Sequence, residues 1–388
     1  MPLLLFFWIM VTYQRLGRVL IVMVGQVVQI EEEKTVVIEK ETEITRKSKS
    51  IQEIISLNKK LNMKLDIRAI AKDYHKKHIL VIGDIILDAY VYGKVDRISQ
   101  EAPVPIVLID HKEFKLGGAA NVALNLEGLG ARVTLMGIVG KDGHNENLRN
   151  CLKGKNKIDY KVIESRTRPT SLKTRIIADN RQIARLDNEV THEISDKHVS
   201  GFIDMIDKNI KNIDGVIIQD YNKGLLTPSL IKNIIDCSKK NEVPVYVDPK
   251  YNNYSSYKGV RLFKPNLVEY MAIAKEEDFG PLPESGFNFK DYMNSEILLL
   301  TLGSNGMSLY HDGMHESIPT QARQVFDVSG AGDTVIATFA LNDLCGLKSI
   351  ESAMIANLAA GRVCEDIGVC PITIGSLIDF FSHHYNLD

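Results

Sequence analysis

Asp327-Val328-Ser329-Gly330-Ala331-Gly332-Asp333-Thr334 is the stretch of this chain richest in chemistry. A glycine-bearing turn runs straight into the apolar segment Val335–Leu341, so it opens a helix. Such a turn leaves backbone N–H groups unpaired in a concavity that favours an anion, and the helix dipole adds to the attraction. A carboxylate, Asp333, stands inside that concavity. It has two readings, a helix cap or a general base held beside a phosphoryl group in transfer.

Three further constellations carry chemistry. Gly117-Gly118-Ala119-Ala120-Asn121 leads into a helix. Paired glycines let the backbone approach a ligand, and an amide offers donors and an acceptor together, as a polyhydroxyl compound requires. An ordinary loop-to-helix junction would look the same. In Lys264-Pro265-Asn266-Leu267-Val268-Glu269, Asn266 and Glu269 share a helix face at i,i+3. They could hold a hydrated Mg²⁺ near phosphates, or simply start a helix. Thr301-Leu302-Gly303-Ser304-Asn305-Gly306 closes a strand with a glycine turn whose N–H groups could carry phosphates, although hairpins share the pattern. The chain has no G-x-x-x-x-G-K-[ST] segment, no G-x-G-x-x-G after its first strand and no protein-kinase motif set.

These residues need elements to position them. Short apolar runs closed by polar residues recur at Ile79–Asp84, Val133–Gly140, Gly215–Asp220, Val243–Asp248, Gly259–Lys264 and Ile297–Gly303. Helical stretches separate most of them, among them Ala119–Leu129, Asp196–Ile210 and Ser229–Asn241. This alternation predicts an α/β, three-layer domain around a mainly parallel sheet, with ligands at the carboxyl ends of the strands. Val104–Lys115 and Tyr160–Asp187 alternate instead, which predicts half-exposed antiparallel strands forming a small sheet that covers a site, pairs subunits, or does both.

Composition narrows the partners. A chain of 388 residues with net charge −2 gives no reason to expect nucleic acid or an acidic membrane surface. Its five scattered cysteines contain no C-x-x-C pair, which fits a reducing cytoplasm and neither a zinc site nor a disulfide framework. The apolar runs Leu3–Tyr13 and Val19–Val24 are interrupted by Arg15 and Arg18, so neither reaches the ~20 residues of a membrane span. Residues 1–50 read as an appendage of unknown role, and Ile51–Tyr74 has helical apolar spacing.

The four motifs in this order resemble the ribokinase-like (PfkB) carbohydrate kinases, from about Lys77 to the C-terminus. Within that family, Val81–Tyr90 and Arg97–Val107 are similar to the heptose 7-phosphate kinases of lipopolysaccharide-core precursor synthesis. Ala184–Asp187, Asp220–Gly224 and Asp248–Lys250 support the same branch. Near its end the chain has His383-His384-Tyr385 and no H-x-G-H, so it resembles the form with the kinase alone.

The resemblance implies a ribokinase-like domain over 77–388, preceded by a helical lead-in at 51–76, with lid strands at about 101–116 and 158–190. It implies transfer from ATP to the anomeric O1 of D-glycero-D-manno-heptose 7-phosphate, giving the 1,7-bisphosphate used for ADP-heptose. Asp333 would be the base, and the Gly330, Ala331 and Gly332 amides the anion hole. Asn266, Leu267, Val268 and Glu269 would form the nucleotide segment, with Asn266 and Glu269 reaching Mg²⁺ through water, and Thr301, Gly303, Ser304 and Gly306 would take phosphates. Asp88, Gly117, Gly118, Asn121 and Asp220 would meet the sugar, and Lys173, Arg185 and Lys223 its 7-phosphate. A cytoplasmic homodimer joined through the lid follows, with room for a monovalent cation. Another sugar or nucleoside kinase of this fold, or a catalytically silent binding protein, stays open. One departure is Thr338, where the family signature has a small Ala or Gly.

Overall fold

The computed structural model describes residues 66–385 apart from 180, 281, 323–324 and 367, together with the backbone of two strands nearer the N-terminus. The chain divides into two units, Met1–Lys64 and Leu65–Asp388. In the first, β1 (Arg18–Met23) and β2 (Gln26–Glu31) pair as an antiparallel hairpin. Most of the lead-in expected as a helix over Ile51–Tyr74 lies outside the described residues, and its described part contains the short helix α1 (Ile67–Ala71).

The second unit begins with β3 (His78–Gly83), then β4 (Ile85–Ile98), β5 (Pro105–Gly118) and α2 (Ala119–Leu129). It continues through β6 (Arg132–Gly140), α3 (Gly143–Cys151), β7 (Ile158–Ser165), β8 (Ser171–Ala178), β9 (Arg181–Asn188) and α4 (Asp196–Asn209). Next come β10 (Gly215–Gln219), α5 (Pro228–Lys240), β11 (Val245–Asp248), β12 (Leu262–Phe263), α6 (Leu267–Glu276) and α7 (Glu284–Tyr292). The hairpin elements β13 (Ile297–Thr301), β14 (Met307–His311) and β15 (Met314–Ile318) precede α8 (Ala331–Leu344), α9 (Ser349–Val363) and α10 (Ile374–Tyr385).

Nine strands form the main sheet in the order β15-β14-β13-β12-β11-β10-β3-β6-β7. From β13 to β7 all neighbours are parallel, and β14 and β15 add an antiparallel edge. The parallel strands are apolar on both faces because helices cover both. Leu80, Ile82, Val216, Ile218 and Val247 are buried in one core with Phe202 of α4 and Leu230 and Ile234 of α5. α8 is buried nearly all round, packing on α9 and on α2, β10 and β11, and this is the packing its uninterrupted apolar run Val335–Leu341 demands.

A second sheet of four strands, ordered β5-β4-β8-β9, makes the lid. Its hairpins β4–β5 and β8–β9 are antiparallel as expected, while β4 and β8 at its centre pair in parallel. Two further details differ from the sequence reading. β7, expected in the lid, is the outer parallel strand of the main sheet, beside β6. An edge strand is half-buried, and its mixture of polar and apolar residues resembles that of a lid strand. Conversely β4, which was not expected, is the strand that leads from the main sheet into the lid; its first seven residues are buried, so they lack the alternation that marks a half-exposed strand.

Candidate active site

Asp333 lies in the first turn of α8, and Gly330 caps that helix at φ 85°, a left-handed backbone that suits glycine. The side chain is buried, and three neutral donors hold it. Asn121 Nδ2 donates to Oδ2 at 2.7 Å, while Gln219 Nε2 and Tyr221 OH donate to Oδ1 at 3.0 and 2.9 Å. The donors come from the start of α2, the end of β10 and the residue just after β10's neighbour Asp220, so the carboxyl end of the sheet converges on one carboxylate.

Burial pushes Asp333 up to about 7 from its ordinary 3.8, and the negative charge of Asp248 adds to the rise. The Asn121 and Tyr221 hydrogen bonds and the Lys264 cation oppose it. In the role of a base Asp333 would have to be deprotonated, and kcat/KM should then fall below neutrality along an acid limb near pH 7; a limb at pH 4–5 would contradict this environment. Stability has the opposite sign. Between 3.8 and about 7 the folded state holds a proton that the unfolded chain releases, so this group's contribution to stability falls as pH rises through that window.

Beside Asp333, Lys264 ion-pairs with Asp248 at 3.0 Å, and both are buried. A cavity of about 650 Å³ opens from here. Its walls include Gly330–Asp333, Lys264, Asn266–Val268 and, from the glycine turn, Thr301–Ser304 and Gly306. The glycine turn after β13 and the start of α6 are neighbours because Asn266 and Thr301 form a parallel bridge that extends the β12–β13 pairing. Three of the four sequence motifs therefore meet around one cavity; the fourth enters through Asn121.

Asn266 and Glu269 form a capping box: Asn266 Oδ1 accepts from Glu269 N and Glu269 Oε2 from Asn266 N, both at 2.8 Å. The other Glu269 oxygen ion-pairs with Lys250. Among the described residues no group of three or more His, Cys, Asp or Glu offers a metal cage. This donor set fits a Mg²⁺ that keeps its waters and arrives on phosphates. The helix-start reading of these two residues is the one their hydrogen bonds display.

On the lid side, Gly117 faces Asp88 so closely that a Cβ there would lie 2.3 Å from Asp88 Oδ2. A side chain there would have to displace the Asp88 carboxylate. Asp88 is buried and ion-paired with Arg175, while the Ala119 amide donates to Asp84 O at 3.0 Å. Buried Asp84 is pushed up to about 6, by burial first and then by Asp220. Its Oδ2 accepts from Tyr221 N at 2.9 Å and Lys223 N at 3.0 Å, fixing the turn that delivers Tyr221 to Asp333. Asp220, expected at the sugar, has both oxygens engaged within the protein, by Asn222 N at 2.7 Å and by Tyr257 OH at 2.8 Å.

The three cations expected at a substrate phosphate are brought together, each against a carboxylate. Lys173 pairs with Asp187 at 2.9 Å and Glu189 at 3.1 Å, Lys223 with Glu189 at 2.6 Å, and Arg185 with Asp187 through two nitrogens. Two cations that sequence reasoning missed flank Tyr90 on the same face: Lys115 Nζ lies 5.2 Å and Arg175 Cζ 5.3 Å from its ring centre. Lys115 is registered opposite Asp88 and next to Gly368. A Cβ placed on Gly330 would lie 3.4 Å from Val369, the residue after Gly368, so this lid face borders the cradle. Gln219 and Tyr221 were missed as partners of Asp333; the available signal was an amide closing a buried strand, directly before Asp220. Thr338 is fully buried with its hydroxyl unpaired, where a smaller residue would leave no such group.

Residues 76–374 match the model of the pfkB family carbohydrate kinases. Among curated relatives, the bifunctional protein HldE of Sulfurimonas denitrificans is 41% identical over 307 residues, covering 78% of this chain and 64% of that protein. That of Helicobacter pylori is 39% identical over 294 residues, 75% of this chain and 64% of its own length. The chain therefore spans less than two thirds of these relatives. Among solved structures, Arabidopsis thaliana ribokinase complexed with ribose and ATP superposes with a TM-score of 0.60 at 19% identity, over 78% of this chain and 98% of that one. Escherichia coli phosphofructokinase-2 in complex with potassium gives 0.66 at 15%, over 80% and 99%. Both have the ribokinase-like fold. No described helix is long and apolar enough to cross a membrane.

Proposed function

The chain belongs to the pfkB family of carbohydrate kinases, and on that premise we propose that it phosphorylates the anomeric hydroxyl of D-glycero-D-manno-heptose 7-phosphate with ATP, giving the 1,7-bisphosphate. One observation carries the reading: a buried carboxylate, Asp333, held by three neutral donors at the mouth of a glycine-lined cavity. The segments similar to heptose 7-phosphate kinases, Val81–Tyr90 and Arg97–Val107, support the choice of sugar, as do the HldE relatives.

In this mechanism Asp88, Asn121 and the close backbone at Gly117 and Gly118 hold the sugar with O1 toward Asp333. Asp333 removes the O1 proton as the phosphoryl group passes over the amides of Gly330, Ala331 and Gly332. The turn Thr301–Gly306, with Leu267 and Val268, holds the nucleotide. Mg²⁺, positioned through water by Asn266 and Glu269, would neutralise phosphate charge. Lys115 and Arg175, beside Lys173, Lys223 and Arg185, receive the 7-phosphate. The lid excludes water, which limits idle hydrolysis of ATP. Its exposed apolar side chains Ile98, Leu108, Ile109 and Leu186 support a homodimer through this sheet, and a cytoplasmic site fits cysteines that form no disulfide among the described residues.

A coupled ADP-release assay with heptose 7-phosphate, ribose, fructose and adenosine tests the proposal. The expected result is turnover that depends on the 7-phosphate. Turnover of an unphosphorylated sugar or nucleoside at equal kcat/KM would replace the substrate, and no turnover with any of the four would remove the reading.

A further inference from the structure

Gln219 does something at the site that neither the motifs nor the cradle explains. Its side chain is buried at the end of β10. One atom, Nε2, donates to two carboxylates, Asp333 Oδ1 at 3.0 Å and Asp248 Oδ2 at 3.1 Å. Asp248 Oδ2 also pairs with Lys264 Nζ at 3.0 Å, so Lys264, Asp248, Gln219 and Asp333 form one buried chain. The other end of the amide has no return: Gln219 Oε1 is buried without a hydrogen-bond partner. An unmet buried acceptor is destabilising, so an apolar residue would serve the fold better here. What the amide supplies is its N–H pair.

We propose that Gln219 is a positioning residue that stands between Asp333 and Asp248, separating the two carboxylates while it aims Asp333 Oδ1. Two carboxylates facing each other in a buried site share a proton unless a donor stands between them. Gln219 is that donor, and it is neutral, so it separates the pair without neutralising either member. Asn121 from α2 and Tyr221 from the turn after β10 also donate to Asp333, yet neither hydrogen-bonds to Asp248. The charged or titratable groups facing Asp333 are Asp248 at the end of β11, Lys264 after β12 and Tyr221. From α2 the neutral Asn121 donates to it.

This inference rests on Asp333 being the base, and the two can fail separately. In Gln219→Met, with ATP, Mg²⁺ and heptose 7-phosphate, the acid limb of kcat/KM should move upward by about one pH unit, the size of a lost hydrogen bond to a charged group. At pH 7 kcat should fall about fivefold while the KM for ATP stays within about twofold, because the cavity walls are untouched. Adding Asp248→Asn should return the limb toward the wild-type position, a coupling that a merely structural role would not produce. Should Gln219→Met not fold, Gln219→Glu keeps the length, removes the donor when ionised and should shift the limb at least as far. An unmoved limb in the folded variant, or a change confined to KM, overturns the positioning role. If instead Asp333→Asn keeps wild-type turnover, it is the base assignment that fails.

Discussion

Asp333→Asn is expected to leave a folded protein that binds ATP and turns over at least ~10²-fold more slowly, the loss typical of a positioned base. The substitution keeps shape and removes charge. Tyr221 and Gln219 can still donate to the amide oxygen, while the new NH₂ faces the Asn121 NH₂ and one hydrogen bond is lost. Opposing that loss, a buried carboxylate whose protonation midpoint lies near 7 is ionised at pH 8 against the preference of its surroundings, and the amide removes this cost. The melting temperature at pH 8 should therefore hold or rise as activity collapses. A capping carboxylate would behave oppositely, since its ionised form would support the helix and its removal would lower the melting temperature with little effect on turnover. Calorimetry and ADP release on one preparation separate the two readings. Near-wild-type turnover would return Asp333 to the role of a cap.

Why the sequence exposed some parts of this arrangement and hid others has physical causes. Parallel strands were legible because they are buried on both faces and end where the chain meets ligands, so an apolar run closed by a polar residue marks both the element and its functional end. Ile79–Asp84 and Gly215–Asp220 are such runs, and the structure makes them the neighbours β3 and β10. The lid was less legible. β4 is buried at its base and exposed at its tip, so it shows no single period, and β7 has an edge strand's mixed pattern although it belongs to the main sheet.

Around the cavity, the residues with a local signal were those the sequence singled out: glycines where a turn or a close approach needs them, and Asn266 with Glu269 at helical spacing. Residues whose role depends on pairing across strands were not. Gln219 reaches Asp333 across 114 positions, a contact no periodicity encodes. The cations show the same limit. Lys173, Arg185 and Lys223 looked available along the chain, but strand register brings Asp187 to Lys173, and Glu189 joins Lys173 to Lys223.

That pairing leads to the second large effect, on recognition of the acceptor's phosphate. A cation already paired must give up or share its carboxylate to take a phosphate, whereas one resting on an aromatic ring gives up little. Lys115 is the second kind, since it sits over Tyr90 and makes no ion pair within 4 Å among the described residues. Arg175 is intermediate: it lies over the same ring and is paired with Asp88, which links phosphate recognition to the residue proposed to hold the sugar. Losing one charge-assisted contact of ~1.5–3 kcal/mol raises KM by about 10- to 100-fold. Lys115→Met should therefore raise the KM for heptose 7-phosphate by about that factor, with kcat within a few-fold and the KM for ATP unchanged. Arg175→Met should lower kcat as well, because Asp88 loses its partner. Lys223→Met, whose ammonium is held by Glu189, should cost less than Lys115→Met. Steady-state kinetics on the three variants checks the order. A larger KM effect at Lys223 than at Lys115 would place the phosphate at the Glu189 side of the lid and remove Lys115 from its recognition.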